Sequence, residues 1–305
     1  MSLKNQVYTN NHPYSLKLAS GISWNILATE GGIDWFKKLI AIIGGKQKYN
    51  ESKNKLIIFR MGSQKGNFYD IITNCLQEPI PPKDWTIQVS RLVNFFTHKA
   101  LPYIICDIGE KKSEIDDIQK MNQIFLPIFT YSINNGGIPI HSALIERKGL
   151  GYLLAAPSGS GKTTCFRRIS KPWHEVCDDL TLIVKSQNHY YTHPLPTWSD
   201  YIFKNSSKTW NIYRYIPLAG IFFIEQSEND KVLSIRQGEA AIKITELSHP
   251  MYQINRPNTT KEEQIQIKAK IFSNAWDLAS IVPCHILRCS LTGKFWEEIE
   301  KVTGI

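Results

Sequence analysis

The chain has 305 residues, 42% of them hydrophobic, and its 36 lysines and arginines exceed 27 acids to give a net charge of +9. That length buries a full core in one large or two ordinary domains, with the apolar content of a globular protein. No apolar run approaches the roughly 20 residues needed to span a bilayer, and Met1-Ser-Leu-Lys-Asn-Gln6 lacks a signal-peptide core, so a cytoplasmic chain without membrane contact is expected. Cys75, Cys106, Cys165, Cys177, Cys284 and Cys289 form no CxxC pair and no zinc-like spacing with histidine, and read as reduced packing residues. The basic residues are scattered, without a Lys/Arg block, so a nucleic-acid partner is not expected; an acidic peptide or a phosphate-rich ligand suits the charge equally well.

In chain order, residues 14–29 read as a hairpin, with Leu16, Leu18, Ile22, Trp24 and Ile26 alternating with polar residues about a Ser20-Gly21 turn. Residues 34–44 read as a helix ended by Gly44. Strands are expected over 55–61, 84–92, 95–98 and 102–108, with loops over 46–54 and 62–67. Residues 115–133 read as one long helix, because Ile118, Met121, Ile124, Phe125, Ile128 and Phe129 recur at helical spacing. Asn134-Asn-Gly-Gly137 ends it.

After residue 186 come a short strand over 189–191 and a proline-punctuated loop over 193–200. A hairpin is expected over 218–236 around Ser227–Asp230. A helix over 238–247 follows, then a longer one over 260–281 whose Ile265, Phe272, Trp276 and Ala279 share a face. A strand over 283–290 and a helix over 295–302 close the chain. The expected division is an α+β domain over 1–110, a linking helix and Gly-rich turn over 111–137, and an α/β domain over 138–305.

The stretch that carries chemistry is Ala156-Pro157-Ser158-Gly159-Ser160-Gly161-Lys162-Thr163-Thr164. The apolar run 151–156 precedes it as a strand, and Cys165–Ile169 follows as the start of a helix, which is the context a P-loop requires. Its glycines let successive N–H groups converge on phosphate oxygens; Lys162 supplies a charge for the β/γ-phosphates and the Thr163 hydroxyl a ligand for Mg²⁺. Pro157, Ser158, Gly159, Ser160, Gly161, Lys162, Thr163 and Thr164 are therefore the expected ATP-binding residues. Ala156 stands where glycine is usual, which a negative φ tolerates.

From Ile138 to Val184 without a gap, the sequence resembles the HPr kinase/phosphorylase family. His141, the Gly149-Leu-Gly151 turn, the strand and loop through Thr163, and the Asp178-Asp179 pair stand at that family's spacing. The resemblance implies a PEP-carboxykinase-like nucleotide-binding core, a mixed sheet with helices, working with ATP and Mg²⁺. It implies that the Asp178-Asp179 pair closes the strand beside the P-loop strand, with Asp178 as acid/base and Asp179, with Thr163, on the metal side. It also favours a functional His141, orienting Asp178 or touching the phosphoryl group, over a core histidine satisfied by a carbonyl. Leu16-Lys-Leu-Ala-Ser-Gly-Ile-Ser-Trp24, Leu56-Ile-Ile-Phe59 and the 141–179 core also resemble a narrower family, the SynChlorMet cassette proteins ScmC, associated with radical-SAM peptide-modification cassettes.

One departure is clear: the Glu-Ile-Arg-Gly-like segment that supplies HPr kinases with a metal-binding Glu is absent after the Asp pair. His193, Trp198 and Asp200 can line an acceptor groove or a structural loop, and Glu225 reads as a strand-end carboxylate more readily than as a second Mg²⁺ ligand. The expected function is ATP- and Mg²⁺-dependent transfer of the γ-phosphoryl to a Ser-type hydroxyl of a peptide or small protein, with a ribosomally made precursor peptide as one acceptor. The alternative is a nucleotide-binding accessory protein that recognises such a peptide without phosphorylating it; a DNA-binding ATPase comes third. A homo-oligomer is left open.

Overall fold

A computed structural model describes residues 13–45, 52–59, 67–157, 159–253 and 260–305. They fall into two units: one runs to Ile124 without Leu18–Gly21, and the other holds Leu18–Gly21 and Phe125–Ile305.

In the first unit, β1 (Tyr14–Lys17) and β2 (Ser23–Ala28) form the expected hairpin, with Leu16 opposite Trp24. Gly21, at φ +87°, takes the left-handed turn position that a side chain would disfavour. There follow α1 (Ile33–Ile42), β3 (Lys55–Phe59), α2 (Phe68–Leu76), β4 (Trp85–Val89), β5 (Asn94–His98), β6 (Leu101–Asp107) and α3 (Glu114–Gln123). The sheet order is β1-β2-β3-β6-β5-β4, parallel from β2 through β3 to β6 and antiparallel elsewhere. Helix α2 was not foreseen. Of its residues only Ile72 is fully buried, too little for a periodic signal, and its start is set by Asn67, whose side chain accepts from the Asp70 N–H at 3.0 Å. The expected loops over 46–51 and 62–66, and Arg60–Met61 of the expected strand, lie outside the described residues.

The single helix expected over 115–133 is two. Helix α3 stops at Gln123, and α4 (Leu126–Asn134) starts the second unit with Pro127 in its first turn. Proline there would clash with the carbonyl four residues back if the helix ran on. The apolar stripe was sound: Ile118, Met121, Ile124, Phe125, Ile128 and Phe129 are each at most 2% exposed.

The second unit continues with β7 (Ile138–Arg147), β8 (Leu150–Ala155), α5 (Lys162–Arg168), β9 (His174–Cys177), β10 (Leu180–Ser186), β11 (His189–Pro194) and α6 (Trp198–Lys204). Then come β12 (Ile216–Gln226), β13 (Lys231–Ser234), α7 (Gln237–Gln253), α8 (Lys261–Ile281), β14 (Cys284–Cys289) and α9 (Phe295–Thr303). Its sheet runs β11-β10-β7-β8-β12-β14-β13, with β9 pairing β7 and β11 also pairing β12. Strands β8, β12 and β14 are parallel. The chain is thus mixed α/β, with two mixed sheets.

Both faces of the second sheet are buried, which is why β8 reads as a continuous apolar run. Leu153 and Ala155 face α7 and α8, meeting Ala240, Ile244, Ala275 and Leu278. Tyr152, Leu154 and Ala156 face the other way, onto Cys165, Phe166, Phe295 and Ile299. The Thr260–Glu263 capping box starts α8, and the buried Asn274 amide donates to the carbonyls of Ile133 (2.7 Å) and Gly137 (3.1 Å), satisfying the end of α4.

Three expectations are corrected here. Strands β12 and β13 are not a hairpin, because β14 lies between them and pairs with both. The loop expected over 193–200 becomes α6 from Trp198 onward. Of the four residues read on one face, Ile265, Phe272 and Trp276 point outward and Ala279 packs against the core; the helix is apolar on more than one side, and packing selects Ile271, Ala275 and Leu278.

Candidate functional site

Strand β8 ends at Ala155, and α5 starts at Lys162 directly after Gly161. Gly159 and Gly161 hold φ +81° and +90°, a conformation disfavoured for other residues, and a Cβ on Gly159 would meet nothing within 4 Å. Ser158 lies outside the described residues. The loop opens on a cavity of about 470 Å³, lined by Gly159, Ser160, Gly161, Lys162, Thr163 and Thr164 from the loop and α5. His141, Asp179, Arg168, Ser199, Gln226, Cys289 and Ser290 complete much of the wall. Of the residues expected in the site, Pro157 and Asp178 are not among those lining it.

At the cavity wall, Lys162 Nζ lies 2.7 Å from His141 Nε2, and the same Nε2 lies 2.9 Å from Asp179 Oδ1. Lys162 is only 5% exposed. Burial lowers its pKa, against the charges of Asp179 and Asp178. Burial alone would raise the Asp179 pKa. The His141 hydrogen bond, with the charges of His141 and Lys162, outweighs it and holds the carboxyl below its ordinary range. The three groups cannot all be satisfied at once. A protonated Nε2 donates to Asp179 and offers Lys162 nothing; a bare Nε2 accepts from Lys162 and turns a lone pair toward the carboxylate. A ligand bringing its own negative charge to Lys162 resolves this conflict.

The Asp pair is not where the sequence implied. It was expected on the strand beside β8, but it forms the bend between β9 and β10, and both of those strands pair with β7. The strands beside β8 are β7 and β12. Because β10 sets Leu180 opposite His141, Asp179 still arrives at the cavity. Adjacent residues part ways there: Asp178 is 8% exposed, and its carboxylate accepts a hydrogen bond from the Thr197 hydroxyl at the start of α6.

The other candidates resolve as structure. His193 is fully buried, with Nδ1–H donating to the Ile212 carbonyl at 2.8 Å and Nε2 accepting from the Ala19 N–H at 3.1 Å. Trp198 is buried beside Phe125 and Tyr201, and Asp200 pairs with Lys204. Glu225 pairs with Arg288 at 3.6 Å and does not line the cavity.

Sequence reasoning missed several cavity residues outside any motif, among them Gln226, Arg168 and Ser199. Gln226 closes β12, its amide nitrogen 3.7 Å from where a Cβ on Gly161 would stand. Arg168 donates to the carbonyls of Ser290 (2.7 Å) and Gly293 and so pins the 290–293 turn against α5. Ser199 reaches the cavity through the unforeseen α6. Its only signal was Thr197, a residue type that favours helix starts. Cys165 and Cys289 also meet there; a hydrogen bond from Cys289 holds the Cys165 thiol below its ordinary range and raises that of Cys289.

The residues fit ATP and Mg²⁺. The glycine loop leaves room where side chains would stand, Lys162 lacks a settled partner, and Mg²⁺ needs few protein ligands besides phosphate and water. Thr163 is exposed to the cavity, and Asp179 turns Oδ1 to His141, leaving Oδ2 for a metal. Among the described residues, no helix is long and apolar enough to cross a membrane. No curated protein matches the chain. The family model of SynChlorMet cassette protein ScmC matches residues 104–304, about two-thirds of the sequence and all of the cavity, and the chain belongs to that family.

Proposed function

We propose that this ScmC-family chain is an HPr-kinase-like P-loop phosphotransferase that moves the γ-phosphoryl of ATP to a Ser-type hydroxyl on a peptide or small protein. The observation that carries the reading is the Lys162–His141–Asp179 cluster, drawn to the mouth of the glycine loop by three separate elements. The loop amides and Lys162 bind the β- and γ-phosphates. Thr163 and Asp179 would hold Mg²⁺, which would supply charge neutralisation at the phosphates. His141, freed from Lys162 when the ammonium turns to phosphate, takes the proton of the acceptor hydroxyl on its bare Nε2, and the Asp179 carboxylate then accepts the new N–H and stabilises the imidazolium. Asp178, given that acid/base role from the sequence, acts in this reading through Thr197, fixing α6 beside the cavity. Catalysis then rests on positioning and charge stabilisation.

One observation favours the accessory reading. Strand β12 ends beside the loop on Gln226, an amide where a carboxylate would strengthen metal binding. Incubation with γ-labelled ATP, Mg²⁺ and serine-bearing candidate precursor peptides separates the two. Label on a peptide serine supports the phosphotransferase. Bound ATP with no transferred label makes the chain a nucleotide-dependent recognition protein.

A further inference from the structure

Resting on the phosphotransferase reading, we propose that Ser199 is an acceptor for the chain's own site, so that the protein phosphorylates itself there. Helix α6 is fixed at its start from two sides: the Thr197 hydroxyl is bound to Asp178, and Trp198, 6% exposed, packs with ring centroids 6.3 Å from Phe125 and 6.2 Å from Tyr201. The next residue, Ser199, is exposed and lines the cavity that Lys162, His141 and Asp179 share. Among the described residues its hydroxyl has no hydrogen-bond partner. The other hydroxyls lining the cavity have other places: Ser160, Thr163 and Thr164 sit on the loop and the first turn of α5, and Ser290 Oγ accepts from the Gly293 N–H at 2.8 Å. Ser199 thus brings an unengaged nucleophile to the same cavity from a separate element, α6.

In the step, the Ser199 oxygen bonds to the γ-phosphorus and the bond from that phosphorus to the β,γ-bridging oxygen breaks. The electron pair leaves with ADP, and the hydroxyl proton passes to the His141–Asp179 pair. No further reactant is needed. The fixed α6 favours transfer within one chain over transfer between chains.

The test uses the full chain with γ-labelled ATP and Mg²⁺ but no peptide, followed by digestion and mass spectrometry, with ATP binding measured in parallel. The expected result is one phosphoryl group on the peptide holding Ser199, formed at a rate independent of chain concentration. Ser199→Ala should lose the label, and Ser199→Thr should carry it as phosphothreonine. ATP binding without label at Ser199, label that persists in Ser199→Ala, or a rate rising in proportion to chain concentration each overturns the proposal while leaving the nucleotide site intact. Absence of ATP binding overturns both.

Discussion

Two histidines flank β10, His141 opposite Leu180 and His193 opposite Leu182, and their surroundings could hardly differ more. His193 is sealed in, each ring nitrogen has one partner of the right kind, and burial pushes its pKa down to about 4. His141 offers one nitrogen to both an ammonium and a carboxylate, at the wall of an open cavity. Satisfied valences mark a residue that holds the fold; unresolved ones mark a place where something must bind. The comparison separates function from structure better than burial does, since Lys162 is as buried as many core residues.

The largest expected effect breaks the open side of this contrast. Lys162→Ala should lower phosphoryl transfer about a hundredfold or more, read from initial rates; near-normal turnover would count against the proposed site. Asp179→Ala should come next, losing about a hundredfold in rate with little change in melting temperature. Asp178→Ala should do the reverse to its stability, because Thr197 loses its acceptor inside the protein, at about 1–3 kcal/mol. If the two variants behave alike, the split between these neighbours is wrong.

The sealed side is tested by acid. Unfolded, His193 titrates near 6.5; folded, near 4. Below pH 6.5 the unfolded chain takes up a proton the folded chain refuses, so stability that is complete above 6.5 is lost as pH falls toward 4. The loss should reach about 3 kcal/mol. Melting curves should show that slope flattened in His193→Asn and kept in His141→Asn. The smallest effect concerns the thiols. At neutral pH, iodoacetamide should reach Cys165 several-fold faster than Cys177, whose thiol burial pushes up to about 11, and ATP should slow the Cys165 reaction.

Much of the scaffold was readable because it is periodic or punctuated. The β1–β2 hairpin, the β8–loop–α5 passage and the capped α8 all carry local signals that packing later respected. The misses share a cause: they depend on partners distant in sequence. Nothing near Lys231 announces that β14, more than fifty residues later, will separate it from β12. Phe272 and Trp276 look like core until Ile271 and Ala275 take the inward positions. In the site, the loop was written in the sequence and Asp179 was found beside it. That Asp178 turns to Thr197, and that Gln226 and Ser199 complete the wall, follows only from how β10, β12 and α6 are placed.

The most direct measurement is calorimetric titration of the chain and of Lys162→Ala with ATP and Mg²⁺. Saturable one-site binding to the native chain, weakened about tenfold or more in the variant, is the expected result. A native chain that takes up no nucleotide, or a variant that binds it equally well, would contradict the assignment of this cavity.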